Sequence, residues 1–205
     1  MHPYATDSKE RLVVPVLLAV LAILSAYGLS KLVAWLDLQD RLWWLDVPSV
    51  WGFYVLYWGA FDRWLWRWSV VSRVGLVKVP NLNGHWKGEG VSSYLTERRE
   101  RTKFNIPDVE IRQRWTRLAV WFRAEESRSR SLIGAIMVDE GQHPTLSYEY
   151  RNEPGQHAAE TMHAHPGMAR LELINANELE GEYYTGRDRQ NYGTLRLARV
   201  RGRGR

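Results

Sequence analysis

The chain has 205 residues, a net charge of +5 and no cysteine. Without thiols it cannot form disulfides, and thiolate nucleophiles and thiolate-bound metals are also excluded. The small net charge does not supply the electrostatic field that is typical of a nucleic-acid-binding domain. We therefore expect neither DNA nor RNA as a partner.

Two apolar segments occupy the first third of the chain. Residues 12–36 contain Lys31 as their only charge, and residues 42–61 are rich in tryptophan. A membrane-spanning helix needs about 20 mostly apolar residues, so we predict a transmembrane hairpin with helices at about 12–36 and 42–61. Tryptophans flank the hairpin as aromatic belts do: Trp35, Trp43 and Trp44 at one end, Trp64, Trp66 and Trp68 at the other. The alternatives are two buried core helices of a soluble protein and, for the first segment, a cleaved signal peptide.

The distribution of basic residues predicts the orientation of this hairpin. Lys9 and Arg11 precede it, and four basic residues follow it: Arg63, Arg67, Arg73 and Lys78. By the positive-inside rule, both termini and the rest of the chain are expected in the cytoplasm. Asp46 would be costly in lipid, so it either ends the outer loop or is buried in an assembly of helices.

After residue 80 the chain changes to short segments of alternating polar and apolar residues. In one of them, Leu146, Tyr148 and Tyr150 share one face of a strand. Many short, evenly spaced strands are typical of a sandwich or barrel, and an up-and-down barrel leaves no exposed edge. We predict eight strands, at about 84–93, 107–115, 118–124, 129–138, 145–151, 167–174, 178–185 and 192–200.

The predicted fold class is membrane α plus all-β: a transmembrane hairpin followed by an eight-stranded antiparallel, lipocalin-like barrel. The hairpin with its cytoplasmic flanks covers residues 1–79, and the barrel covers residues 80–200. Residues 201–205 form a basic tail, interpreted as solvated or as resting on anionic lipid head groups.

Enzymatic motifs are absent from the sequence: it has no glycine-rich phosphate loop, nucleophile elbow or metalloprotease helix. The densest group of potential metal ligands comprises His143, His157, His163 and His165. His163 and His165 could share one strand face, but no third ligand has a defined spacing, so a polar loop is favoured over a metal site. We predict no catalytic activity, no metal and no cofactor.

Two strands instead present side chains suited to a nucleotide. Tyr148 and Tyr150 share a face, and so do Tyr183, Thr185 and Arg187 near the end of another strand. Aromatic rings stack on nucleobases, and the arginine fork bonds phosphate oxygens in pairs. The alternative is that the tyrosines fill the barrel core and the arginines are solvated.

Three segments, in this order behind two membrane helices, resemble one known family: residues 80–88 (PNLNGHWKG), 146–154 (LSYEYRNEP) and 179–187 (LEGEYYTGR). This family is the two-transmembrane, β-barrel effectors of bacterial cyclic-oligonucleotide anti-phage defence (CBASS). The resemblance implies a cyclic dinucleotide ligand made by a partner nucleotidyltransferase. It also implies homo-oligomerisation on ligand binding, disruption of the bacterial inner membrane and abortive infection. The candidate ligand-binding residues in the matching segments are Trp86, Tyr148, Tyr150, Asn152, Tyr183, Thr185 and Arg187.

Two other functions fit the same architecture. A membrane-anchored, lipocalin-like barrel could bind an apolar ligand, and a barrel without a ligand could serve as a membrane scaffold.

Overall fold

The computed structural model describes residues 1–37, 46–96, 98–124, 127–139, 142–155, 163–187 and 190–200. It divides the chain into two compact units. One is Lys9–Lys78, and the other joins Met1–Ser8 to Val79–Arg205. Residues 1–8, predicted as a flank of the hairpin, are grouped with the barrel residues.

The Lys9–Lys78 unit is helical. Helix α1 spans Glu10–Trp35 and α2 spans Asp46–Arg63; a 3-10 turn at Leu65–Arg67 and a short α3 at Ser69–Arg73 follow. The α1 and α2 helices contact each other, and the hydroxyls of Ser25 and Tyr57 are hydrogen-bonded across them at 2.8 Å. Both predicted helices therefore form.

Of the helices in the described ranges, α1 alone is long and apolar enough to cross a membrane. A membrane crossing by α2 therefore stays a prediction. Trp43, Trp44 and the predicted start of the second helix at residue 42 lie outside the described residues.

The other unit is a closed antiparallel barrel. Its strands are β2 Gly84–Leu95, β3 Arg101–Gln113, β4 Arg117–Arg123, β5 Ser127–Met137, β6 Thr145–Pro154, β7 His165–Asn175, β8 Glu178–Thr185 and β9 Tyr192–Arg199. The order around the barrel is β4-β3-β2-β9-β8-β7-β6-β5, and pairing between β4 and β5 closes it. The predicted eight-stranded barrel is confirmed. The largest difference is at β3, which begins six residues before the predicted residue 107.

A ninth, very short strand pairs with the barrel where β4 and β5 do not pair with each other. Strands β4 and β5 pair directly only at residues 121–123 with 128–130. Farther along, β1 (His2–Pro3) pairs with β4, and Ala5 forms a bridge to Ala135 of β5. The Asp7 carboxylate then accepts hydrogen bonds from the N–H groups of Val138 and Asp139, at 2.8 and 2.9 Å. The N-terminal segment thus supplies backbone partners to two strands that have separated.

One end of the barrel is closed by the segment that enters β2. The Leu82 N–H donates to the Gln113 side chain at 2.8 Å, and Arg199 donates to the carbonyls of Asn81 and Asn83. Trp86 lies fully buried beneath this segment and donates its indole N–H to the Leu82 carbonyl. Arg199 lies over the Trp86 ring at 4.4 Å, and burial lowers the pKa of its guanidinium. Because this end is filled, the space for a ligand lies toward the other end.

Candidate functional site

A cavity of about 600 Å³ lies toward the end of the barrel that holds the β2–β3, β4–β5, β6–β7 and β8–β9 connections. Strand alternation turns every second side chain inward, so that all eight strands or their extensions contribute to its wall. The lining residues are Ser92, Tyr94, Thr102, Lys103, Phe104, Asn105, Phe122, Ala124, Ser127, Ser129, Tyr148, Tyr150, Asn152, His165, Ala169, Tyr183, Thr185, Asn191 and Leu195.

Two aromatic pairs lie on separate parts of the cavity wall. Tyr148 and Tyr150 project from β6 with ring centroids 6.1 Å apart. Phe104 and Tyr183 meet edge to face, also at 6.1 Å, in front of β2 and β9. The Tyr150 ring lies against Gly167 of β7, which is two strands from β9 and three from β2 in the closed order of eight strands. The cavity therefore offers two separate surfaces on which flat rings could stack.

Glycines on neighbouring strands make room for these rings. A Cβ atom at Gly90 would collide with the Phe104 ring, and one at Gly167 would collide with the Tyr150 ring. A Cβ atom at Gly193 would likewise lie too close to the Tyr183 ring, at 2.8 Å. Because no side chain intervenes, the rings lie close against the wall and leave the centre of the barrel open.

The cavity is polar but carries little formal charge. Among the described lining residues, Lys103 is the one Lys, Arg, Asp or Glu. It is exposed, and alternation along β3 places it on the strand face opposite to Phe104. Burial, with a smaller contribution from Tyr150, raises the pKa of Tyr148 well above its usual range. Tyr148 is therefore a neutral hydroxyl at physiological pH, able to donate a hydrogen bond. The wall can thus bind a polar, anionic ligand through hydroxyl and amide groups plus one ammonium.

The structure brings together five of the seven residues that the sequence analysis selected. Tyr148, Tyr150, Asn152, Tyr183 and Thr185 all line the cavity. Their contact with a ligand stays a prediction.

Trp86 and Arg187 lie elsewhere. Trp86 also points inward from its strand, but at the closed end, where Leu82 and Arg199 cover it. Arg187 is exposed in the turn beyond β8 and does not line the cavity. Trp86 was selected because it lies in a segment that resembles the CBASS effectors, and that resemblance did not report its depth along the barrel axis.

Several lining residues were missed by the sequence analysis. Lys103 and Phe104 lie in the first part of β3, where the charged sequence from residue 97 to 103 hides the strand pattern. Asn191 lies in a turn, and Ser92 is a small residue in a glycine-rich strand. The alternation of Gly88, Gly90 and Ser92 was the available signal, since a glycine in a strand often marks close approach of another group.

The histidine group does not form a metal site in the part of the chain that the structure describes, where no three His, Asp or Glu side chains converge. His165 begins β7 and lines the cavity, with its Nδ1 hydrogen-bonded to the His163 carbonyl at 2.9 Å. His157 lies outside the described residues.

Comparison with known proteins identifies relatives of this barrel. A family model described as "Cap15, cyclic dinucleotide receptor domain" matches residues 77–199, more than half of the chain and every barrel strand except β1. The chain is 29% identical over 153 residues to CD-NTase-associated protein 15 of Yersinia aleksiciae, covering 74% of this chain and 70% of the relative. It is 26% identical over 142 residues to the protein of the same name in Staphylococcus schleiferi, covering 69% and 72%.

Proposed function

This chain belongs to the Cap15 cyclic dinucleotide receptor family, and from that membership we propose that its barrel cavity is the binding site for a cyclic dinucleotide. The observation that supports the proposal is the presence of two separate aromatic surfaces in the cavity wall, because the ligand has two bases to stack. The volume of the cavity, about 600 Å³, is within the usual range for small-molecule sites. The ligand would come from a partner nucleotidyltransferase of the CBASS system.

The two phosphates of the ligand require hydrogen-bond donors between the aromatic surfaces. Ser127 and Ser129 provide hydroxyls, whereas the Thr102 hydroxyl already donates to the Tyr94 carbonyl at 3.0 Å. Lys103, which is exposed in the first part of β3, is the one ammonium group among the described lining residues. Hydrogen bonds to a charged group contribute more than those between neutral groups, about 1.5–3 kcal/mol each. Lys103 is therefore the one charged candidate for a phosphate contact among the described lining residues.

The composition of the cavity disfavours the alternative of an apolar ligand. An acyl chain would remove water from the Ser127 and Ser129 hydroxyls and from the Asn191 Nδ2 group without offering them any new hydrogen bond. An unmade hydrogen bond at a buried polar group costs about 1–3 kcal/mol on protein mutational scales. The hydroxyls and amides would thus weaken binding of a fatty acid, whereas a nucleotide can pair with them.

We place the protein in the bacterial inner membrane, with both termini and the barrel in the cytoplasm. Helix α1 supports this proposal, because apolar side chains along its length are more than half exposed: Leu12, Val16, Ile23, Leu24 and Tyr27. An exposed apolar surface of this kind is a liability in water and is stable against lipid. In this account ligand binding promotes homo-oligomerisation, and the assembled helices disrupt the membrane, which kills the infected cell.

Two measurements on the full-length protein test the binding and membrane parts separately. Titration calorimetry in detergent with cyclic dinucleotides and a fatty acid reports ligand class. Dye release from anionic vesicles containing the protein, with and without the dinucleotide that binds, reports membrane disruption. We expect release only with bound ligand, together with a larger mass by light scattering. Saturating ligand without dye release or added mass would refute the membrane mechanism and leave the receptor assignment standing.

Topology is tested with reporter fusions. A fusion after Lys78 should report the cytoplasm, and one between Asp37 and Leu45 should report the periplasm. A periplasmic signal after Lys78 would refute the proposed orientation.

A further inference from the structure

Asn191 is held rigidly in the cavity wall by the end of β8. Its N–H donates to the Thr185 hydroxyl at 2.9 Å, and its carbonyl accepts from the Thr185 N–H at 2.7 Å and from the Thr185 hydroxyl at 3.0 Å. The side chain is buried and lines the cavity. The position of its amide group is therefore fixed before any ligand enters.

Two serines of β2 determine which way this amide faces. The Ser92 hydroxyl accepts the Tyr94 N–H, and the Ser93 hydroxyl accepts the Tyr192 N–H, both at 3.2 Å. Each hydroxyl therefore has its own hydrogen available, and each lies 2.8 Å from Asn191 Oδ1. A carbonyl oxygen has two lone pairs, so the two serines occupy both. Oδ1 is then fully used, and Nδ2 is the group left to face other partners.

The Nδ2 group lies beside one of the stacking surfaces. Among the described residues its one partner is the Tyr183 hydroxyl, at the long distance of 3.4 Å. The Tyr183 ring lies against Gly193 and forms an aromatic pair with Phe104. A base stacked on this pair would bring one of its edges toward a fixed N–H donor.

We propose that Asn191 selects the base at the Phe104–Tyr183 surface, favouring one with a carbonyl at the facing edge over its amino counterpart. This inference rests on the proposed cyclic dinucleotide function. An asparagine amide with a free oxygen can accept from an exocyclic amine while it donates. Here the serines occupy Oδ1, so Asn191 can donate to a carbonyl but cannot accept from an amine.

Matched ligands test the selection. Cyclic di-UMP and cyclic di-CMP differ at the pyrimidine edge in a carbonyl against an amine, and cyclic di-GMP and cyclic di-AMP make the purine pair. We expect the wild-type protein to bind the carbonyl member of at least one pair about tenfold more tightly. Equal affinity within both pairs, or preference for the amino members, would overturn the inference while leaving the receptor function intact. Binding of none of the four ligands would contradict both the base selection and the proposed receptor function.

The Asn191→Asp variant tests whether this residue is responsible. The carboxylate keeps the shape and can still accept from both serines, but it replaces the Nδ2 donor with an acceptor. Its added charge weakens every anionic ligand alike, so the informative quantity is the affinity ratio within a pair. We expect that ratio to fall by about tenfold or to reverse. An equal loss for all ligands would indicate a structural role only and would overturn the inference.

Two further variants complete the test. Asn177→Asp makes the same substitution at an exposed turn at the other end of the barrel, and it should leave every ratio unchanged. The double variant Ser92→Ala, Ser93→Ala frees Oδ1 and allows the amide to rotate. In a variant that still melts cooperatively, the preference for the carbonyl base should disappear; its persistence would contradict the proposed orientation of Asn191.

Discussion

The Tyr150 ring lies across Gly167, its partner residue on β7, in the space that a Cβ atom at residue 167 would occupy. Gly167→Ala should therefore displace the ring without adding a polar or charged group. A lost base stack costs about 1–3 kcal/mol, a factor of about 5–150 in affinity. Titration calorimetry of the variant measures this loss.

The matched control for this prediction is Gly59→Ala in α2, where nothing lies within 4 Å of the added Cβ. Ligand affinity should be unchanged in the control. Unchanged affinity in Gly167→Ala as well would mean that Tyr150 does not stack on the ligand.

Substitutions of Lys103 and Arg187 should have different effects on ligand affinity. Both side chains are exposed, but Lys103 borders the cavity and Arg187 lies beyond the end of β8. Lys103→Ala should weaken binding about ten- to a hundredfold, the effect of losing one charge-assisted hydrogen bond. Arg187→Ala removes the same charge outside the cavity and should change affinity less than threefold, roughly the effect of an exposed ion pair. The reverse order of the two variants would restore Arg187 as the phosphate partner.

The strands of the barrel could be predicted from sequence more completely than the residues that line its cavity. Period-two alternation placed Tyr148 with Tyr150, and Tyr183 with Thr185, on shared strand faces, and these faces line the cavity. Asn152 and Trp86 were selected from the segments that resemble the family, and a resemblance does not report depth along the barrel, so Trp86 was included although it lies at the closed end. The resemblance to the CBASS effectors is confirmed by the family match.

The N-terminal strand could not be predicted because its stability comes from distant residues. His2 and Pro3 are too short a segment for alternation, and their partners are β4 and β5, more than 100 residues away. Asn191 was not selected as a cavity residue for a related reason. A lone asparagine in a turn is common, and only the fold brings it to the hydroxyls of Ser92 and Ser93.

Asp7 tests the contribution of the N-terminal segment to the barrel. Its carboxylate accepts two backbone N–H groups at the end of β5, and charge-assisted bonds of this kind contribute about 1.5–3 kcal/mol each. Asp7→Ala should lower the melting temperature of the full-length protein by several degrees. Glu172→Ala removes an exposed carboxylate from β7 and serves as control. Equal melting temperatures for the two variants would mean that the segment does not stabilise the barrel.

The buried Tyr148 phenol should make the folded barrel less stable at alkaline pH. Burial raises the pKa of this phenol, so the folded state holds its proton at a pH where the unfolded chain releases it. The contribution to stability is complete below the ordinary tyrosine pKa of about 10 and is lost as the pH rises above it. Thermal unfolding between pH 8 and 11 should show a smaller alkaline loss in Tyr148→Phe than in Tyr184→Phe, a change at a half-exposed tyrosine. Identical pH profiles would refute the assignment.

Binding of a cyclic dinucleotide between the two aromatic pairs of the cavity is best tested by titration calorimetry of the full-length protein. Cyclic dinucleotides and a fatty acid are titrated into the wild type and into Tyr183→Ala. We expect saturable binding of at least one cyclic dinucleotide at one site per chain, about 5–150-fold weaker in a folded Tyr183→Ala variant, and no binding of the fatty acid. Saturable binding of the fatty acid, with no heat from any cyclic dinucleotide, would contradict the proposed receptor function.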